Sequence, residues 1–180
     1  MTLPKIRGLS GLVLLSWAVF AIPATTALGA GPIAFTGIAS GLSLGALTNC
    51  PVGLCPGSDS CTCVPLSGTG KATNIGVVNF STTVVLDGSL SVGNCDEALG
   101  TLKLTSKAKA TNALVMDYVG TVCVANGSAT SGFLLNATYF VDSALSTGKF
   151  ANATGSGNVA GSEDANTGDI LGNVNGTLVP

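Results

Sequence analysis

The sequence predicts an all-β protein, an antiparallel barrel of about eight strands, with a β-sandwich as the alternative. Three observations lead there. Beyond the N-terminal apolar segment, apolar and polar residues alternate and never recur at helical spacing. Turn-forming pairs punctuate the runs: Gly93-Asn94, Asn126-Gly127 and Thr147-Gly148 between them, and Asp87-Gly88 inside one. Glycine recurs within the last two runs, as it does where strands coil tightly and backbones approach closely.

The first segment, residues 1–29, reads as a secretory signal peptide. Lys5 and Arg7 precede the apolar run LSGLVLLSWAVFAI (Leu9 to Ile22), and Pro23 and small residues follow. That run falls short of the about 20 residues that span a bilayer, and no polar stop-transfer flank follows it. No transmembrane segment is therefore expected after cleavage, which small residues place between Ala27 and Ala30. The expected destination is secreted, extracellular or periplasmic. Residues 30–65 form an N-terminal arm (GPIAFTGIASGLSLGAL) and a cysteine-rich loop, and residues 66–180 the β-barrel domain. The arm either supplies the first strand of its own barrel, the favoured reading, or adds a strand to a neighbour's open edge.

The strands follow from period-two patterning. In STTVVLDGSLSV the inner face is Val84, Leu86, Leu90 and Val92, against Thr83, Asp87, Ser89 and Ser91. In TLKLTSKAKA, Leu102, Leu104, Ala108 and Ala110 oppose Thr105 and the lysines 103, 107 and 109. ALVMDYVGTVCV sets Leu114, Met116, Tyr118, Val122 and Val124 on one side, and GFLLNATYFV sets Phe133, Leu135, Ala137, Tyr139 and Val141. KFANATGSGNVAGS and GDILGNVNGTLV form a final pair joined by a hairpin at EDANTG, with Ile170, Val174 and Leu178 sharing a face with Gly172 and Gly176.

Six cysteines, 50, 55, 61, 63, 95 and 123, all follow the leader. An even count in an exported chain predicts disulfides. Cys61 and Cys63 flank one residue, so they should take different partners. Cys95 is expected to pair with Cys123, and the other four to close the loop CPVGLCPGSDSCTC among themselves. Zinc is the competing reading, but the spacing lacks the C-x2-C knuckles of zinc ribbons.

Composition limits the function. Charged residues make up 9% of the chain, where about 25% is usual, and so little charge favours association. Removing Lys5 and Arg7 takes the basic count from 7 to 5 against 9 acids, a net charge of −4. Arg7 is the only arginine, Trp17 the only tryptophan, and histidine is absent. Nucleic acid is excluded as a partner, because phosphate binding needs a Lys/Arg footprint.

SGTGKATNIG (Ser67 to Gly76), STGKFANATGSG (Ser146 to Gly157) and TGDILGNVNGTL together resemble a pattern of secreted bacterial β-proteins. In it a G-x-G-x-A-T-x-x-G element opens the domain and T-G-x-F-x-x-A-T-G-S-G comes near its end. The pattern resembles the allene-oxide-cyclase-like barrel, shared with dirigent proteins, over roughly residues 66–179. The resemblance implies an eight-stranded antiparallel barrel. Asn74 stands where a histidine is common in that family, and LSTGKF replaces a fuller glycine pair. No catalytic residue of the family maps onto this chain.

The residues themselves offer little chemistry. General acid–base work most often uses histidine, and a Ser/His/Asp triad needs one. Lys71 with Asp87, Asp117 or Asp142 would be the pairs available at a barrel mouth, but they read first as turn and surface charges. A Ser–Lys dyad rests on nothing beyond the presence of both residue types. Glu163, Asp164, Asn166 and Asp169 have oxygen ligands for calcium, but their order does not match the EF-hand loop and suits a hairpin turn. Catalytic, cofactor and metal residues are accordingly expected to be none. Five N-x-S/T triplets, at Asn79, Asn126, Asn136, Asn152 and Asn175, would be glycosylation acceptors in a eukaryotic host. Tyr118 and Tyr139 fall on inner faces and read as core, not as sugar platforms.

Three functions fit. The leading expectation is a non-catalytic, disulfide-stabilised β-domain acting at the cell surface or in an extracellular assembly, with self-association or a surface partner. The second is a carrier of a small apolar ligand in the barrel interior. The third, implied by the resemblance, is an isomerase or cyclase. A filled interior would favour the first, a dry apolar cavity the second, and a cavity with several polar side chains the third.

Overall fold

The computed structural model describes residues 31–46, 50, 54–55, 61–86, 95–125 and 132–180. The leader, the pairs Asp87-Gly88, Gly93-Asn94 and Asn126-Gly127, and the inner-face residues Leu90 and Val92 lie outside them. Eight strands are present: β1 (Ile33–Ser43), β2 (Thr62–Ala72), β3 (Gly76–Leu86), β4 (Cys95–Ser106), β5 (Ala113–Val124), β6 (Phe133–Val141), β7 (Thr154–Glu163) and β8 (Asp169–Val179). Each pairs antiparallel with its chain neighbours, and β1 pairs with β8 from Ile33↔Leu178 to Leu42↔Asp169. The sheet closes on itself, so the fold is a barrel and not a sandwich. Closure leaves no free edge.

The arm supplies β1. Its Phe35 is completely buried, and β1 bonds to β2 and β8 along its length. β2 begins at Thr62, so the barrel wall extends to both sides of the cysteine loop. The alternation read from the sequence holds for β3, β5 and β6, whose inward residues form the core with Leu102 and Leu104 of β4. β4 differs at its end. It stops at Ser106, which is buried, while Ala108 and Ala110 are exposed. The chain turns there to reach β5, the Ser106 N–H donating to the Asn112 carbonyl (3.0 Å) and the Asn112 N–H to that of Lys109 (2.9 Å). Alanine buries too little area to hold the alternating pattern in the sheet against that turn.

Twelve glycines lie within strands, and nine of them are on β7, β8, β1 and β2. All but Gly76, at the start of β3, sit at inward positions. Large rings fill the space this leaves. A methyl on Gly176 would lie 2.6 Å from the Tyr139 hydroxyl, and one on Gly100 would lie 2.4 Å from that of Tyr118. Phe35 meets Tyr139 edge-on, with ring centroids 6.5 Å apart. Glycine in this chain therefore makes interior room as well as coiling the strands.

The barrel has one closed end. The β6–β7 connection folds beneath it as a plug: Phe150 of a 3-10 turn (Gly148–Phe150) and Ala153 are buried there, as is Ile75 of the β2–β3 turn. Ser146 fixes the plug, its hydroxyl accepting from the Val115 N–H (3.1 Å) and donating to the Asp142 carbonyl (2.7 Å). That contact also explains why Val115, on an outward position, is buried. Lys149 reaches from the plug to the Asn74 carbonyl, so the segments SGTGKATNIG and STGKFANATGSG meet here.

Candidate functional site

Above the plug, the side chains of Phe35, Leu114, Met116, Tyr139 and Leu178 are fully buried in the lower interior. Toward the opposite end the glycine-rich wall faces the bulky one across a gap. The result is a cavity of about 250 Å³, lined by apolar side chains such as Val64, Leu86, Leu102, Val122, Leu135 and Ile170. An eight-stranded barrel is just wide enough to be filled by its own side chains or to hold one small ligand. The inward glycines tip this barrel toward the second outcome. Gly172 shows how open the wall is: a methyl there would meet only the Ala160 carbonyl, at 3.6 Å.

Few polar groups face the cavity. The Tyr118 and Thr82 hydroxyls share a hydrogen bond of 3.0 Å in its wall. Burial pushes the Tyr118 phenol up to about 12, partly offset by that hydrogen bond. Tyr139, deeper down, has a buried hydroxyl with no partner, and burial raises its pKa also. Glu163, the last residue of β7, lines the cavity at its mouth. Burial raises its pKa, and a hydrogen bond from the Ser43 side chain partly opposes this. On the opposite wall, outside the cavity lining, Asp96 follows the inward register of Ala98 and Leu102, and one of its carboxylate oxygens is buried without a partner.

The disulfides brace the mouth. Cys95 and Cys123 face each other directly across β4 and β5 and are bonded, with Cα atoms 4.1 Å apart. Cys50 bonds Cys63, and Cys55 bonds Cys61. The different partners expected for Cys61 and Cys63, and the Cys95–Cys123 pair, are both found. Sulfurs of Cys50, Cys55 and Cys61 lie within 4.8 Å of one another, the grouping a zinc ion would need, but they are consumed in disulfides.

The remaining sequence candidates are dispersed. Lys71 is exposed on the outer wall. Asp117, also exposed, accepts from the Thr101 hydroxyl at 2.7 Å. Asp142 accepts from the Ala144 and Leu145 N–H groups near the plug (2.8 and 3.1 Å). Asp87 lies outside the described residues. Among the described residues Lys71, Asp117 and Asp142 are not brought together. In the EDANTG hairpin, Asp164 accepts from the Asn166 and Thr167 N–H groups (2.8 and 3.3 Å), which hold its carboxyl below the usual carboxylate range. It is a turn-forming residue. Of the N-x-S/T asparagines, Asn79, Asn136, Asn152 and Asn175 are exposed, and Asn126 is outside the described residues. Tyr118 and Tyr139 are core residues, as expected.

Sequence reasoning missed Thr82 and Asp96 as interior polar groups, and weighed Glu163 only as a hairpin residue or a calcium ligand. The signal was present: all three fall on the inward register of their strands, Asp96 two residues before Ala98 and Glu163 two after Gly161. Among the described residues no helix is long and apolar enough to cross a membrane. Compared with protein-family models, curated proteins and solved structures, the chain matches none.

Proposed function

We propose that this disulfide-stabilised β-barrel is an exported binding protein that carries one small apolar molecule in its interior. The observation that carries the reading is the apolar cavity of about 250 Å³, which reaches to the end of the barrel opposite the plug. A dry cavity of about 150 Å³ lined by aliphatic and aromatic side chains is enough to bind benzene. In proportion, the space here suits a body of about ten carbon atoms. Three disulfides around the mouth support the same reading, because a pre-formed rim lowers the ordering cost of binding. Oxidised cysteines also suit an extracellular or periplasmic setting.

The cavity shifts weight from the assembly reading to the carrier. One observation still favours association: Ile38 and Leu171 are 71% and 65% exposed on adjacent strands of a charge-poor outer wall. The eight-strand closure and the meeting of the two glycine motifs at the plug support an allene-oxide-cyclase-like architecture. The mostly apolar lining favours a carrier over a cyclase.

Naphthalene is the test ligand, with Gly172→Leu as the control. Gly172 lines the cavity and a Cβ there meets only the Ala160 carbonyl at 3.6 Å, so a leucine is expected to occupy the site and leave the fold intact. Saturable binding by wild type and its loss in the variant are expected in isothermal titration calorimetry. Failure of naphthalene to bind wild type, or equal binding by a folded Gly172→Leu, would overturn the reading.

A further inference from the structure

Resting on the carrier reading, we infer that the ligand carries a cationic head: a small apolar body ending in an amine whose ammonium meets the Glu163 carboxylate at the cavity mouth. The geometry assigns the polarity. Glu163 stands where the apolar lining ends, on the inward register of β7, and lines the cavity together with Ser43. The Ser43 hydroxyl already donates to it, which leaves further acceptor capacity for a second donor. Across the mouth, Asp96 also follows the inward register, with a buried oxygen that lacks a donor.

One cation, Lys71, also lines the cavity, but it stands near the end of β2, at the opposite end of the barrel from Glu163. The five lysines of the described residues, 71, 103, 107, 109 and 149, are all exposed, and Lys71 and Lys103 lie on outward positions of their strands. Among the described residues charge is also unevenly distributed along the barrel axis, with Asp142 the acid near the plug. Asp96, Glu97, Glu163, Asp164 and Asp169 ring the open end, where β4 and β8 begin and β7 finishes. Lys71, Lys107, Lys109 and Lys149 gather at the closed end. Such a field draws a cation toward the mouth and repels an anion from it. A carboxylate ligand would have to place its charge beside Glu163 in a poorly solvated site, where like charges disfavour each other strongly. The inference thus separates amines from fatty-acid-like ligands of the same size.

Three probes share one body and differ only in the head: 1-naphthylmethylamine, 1-naphthylmethanol and 1-naphthoate. Isothermal titration calorimetry with wild type should show the amine binding about tenfold or more tighter than the alcohol, the range expected for a charge-assisted hydrogen bond over a neutral one. The naphthoate should bind weaker than the alcohol. Glu163→Gln keeps the shape and removes the charge, so it should bring the amine to within about twofold of the alcohol. An amine no tighter than the alcohol, a naphthoate as tight as the alcohol, or an amine preference that survives Glu163→Gln would each overturn this inference and leave the carrier intact. Failure of naphthalene and of all three probes to bind would overturn the carrier reading and this inference with it.

Discussion

Raising the pH should test the buried tyrosines directly. Tyr118 is almost fully buried, and its phenol is held up to about 12 against an ordinary 10.0, burial being the larger cause and the Thr82 hydrogen bond opposing it. Tyr139 shifts the same way through burial. Unfolded, both phenols would release their protons near 10, so between that value and the folded one the unfolded chain binds fewer protons. Stability must then fall as pH rises. The contribution is fully present below pH 10 and is lost progressively as pH climbs to about 12. For Tyr118 alone the loss is about 1 kcal/mol one unit above the unfolded pKa, and its limit is about 3 kcal/mol. The assay is alkaline titration of phenolate absorbance alongside far-ultraviolet circular dichroism. It is clean because these are the only two tyrosines and Trp17 lies in the expected leader. Phenolate should stay nearly absent at pH 10 and appear together with loss of β-sheet signal. Tyr118→Phe should remove part of the alkaline sensitivity, at a cost of about 1 kcal/mol at neutral pH for the lost hydrogen bond. Reversible ionisation of either tyrosine near pH 10, with the sheet intact, would refute the reasoning.

Two further outcomes follow from the wall and the rim. Gly176→Ala would set a methyl 2.2 Å from the Ser156 carbonyl and 2.6 Å from the Tyr139 hydroxyl, whereas Gly172→Ala meets only one atom at 3.6 Å. Urea melts should show the first variant destabilised by about 1–3 kcal/mol and the second unchanged or up to about 1 kcal/mol more stable; equal effects would contradict the packing described. Replacing both Cys95 and Cys123 by serine opens a bridge of sequence separation 28, which should lower unfolding free energy by roughly 3–4 kcal/mol. A loss below about 1 kcal/mol in the same melts would show that this bridge does little to restrict the unfolded chain.

The fold was legible because β-structure writes itself locally. Val84, Leu86, Met116, Tyr118 and Tyr139 could be assigned inward from period-two spacing alone, and all are buried. The Lys-Ala alternation after Leu104 imitated the same signal, yet alanine offers little burial and the chain turns after Ser106. The cysteine partners of β4 and β5 were legible for a related reason, since both residues close their runs at the same end of a hairpin.

The site was less legible, because a cavity is a difference between two walls and no single segment contains it. The sequence shows glycines in KFANATGSGNVAGS and GDILGNVNGTLV, and it shows large residues in ALVMDYVGTVCV and GFLLNATYFV. Only closure between β1 and β8 decides that these sets face each other across one interior. Register then decides the chemistry. Glu163 stands next to the turn residue Asp164, and a shift of one residue would put it outside with the solvated charges. Its pairing with Ile170 fixes it inward, so a residue that reads as part of a hairpin becomes the acid at the mouth of an apolar pocket. The glycine-rich strand β7 and the Glu163 carboxylate at its end are thus one device. The glycines leave the space, and the same strand delivers the charge to its opening.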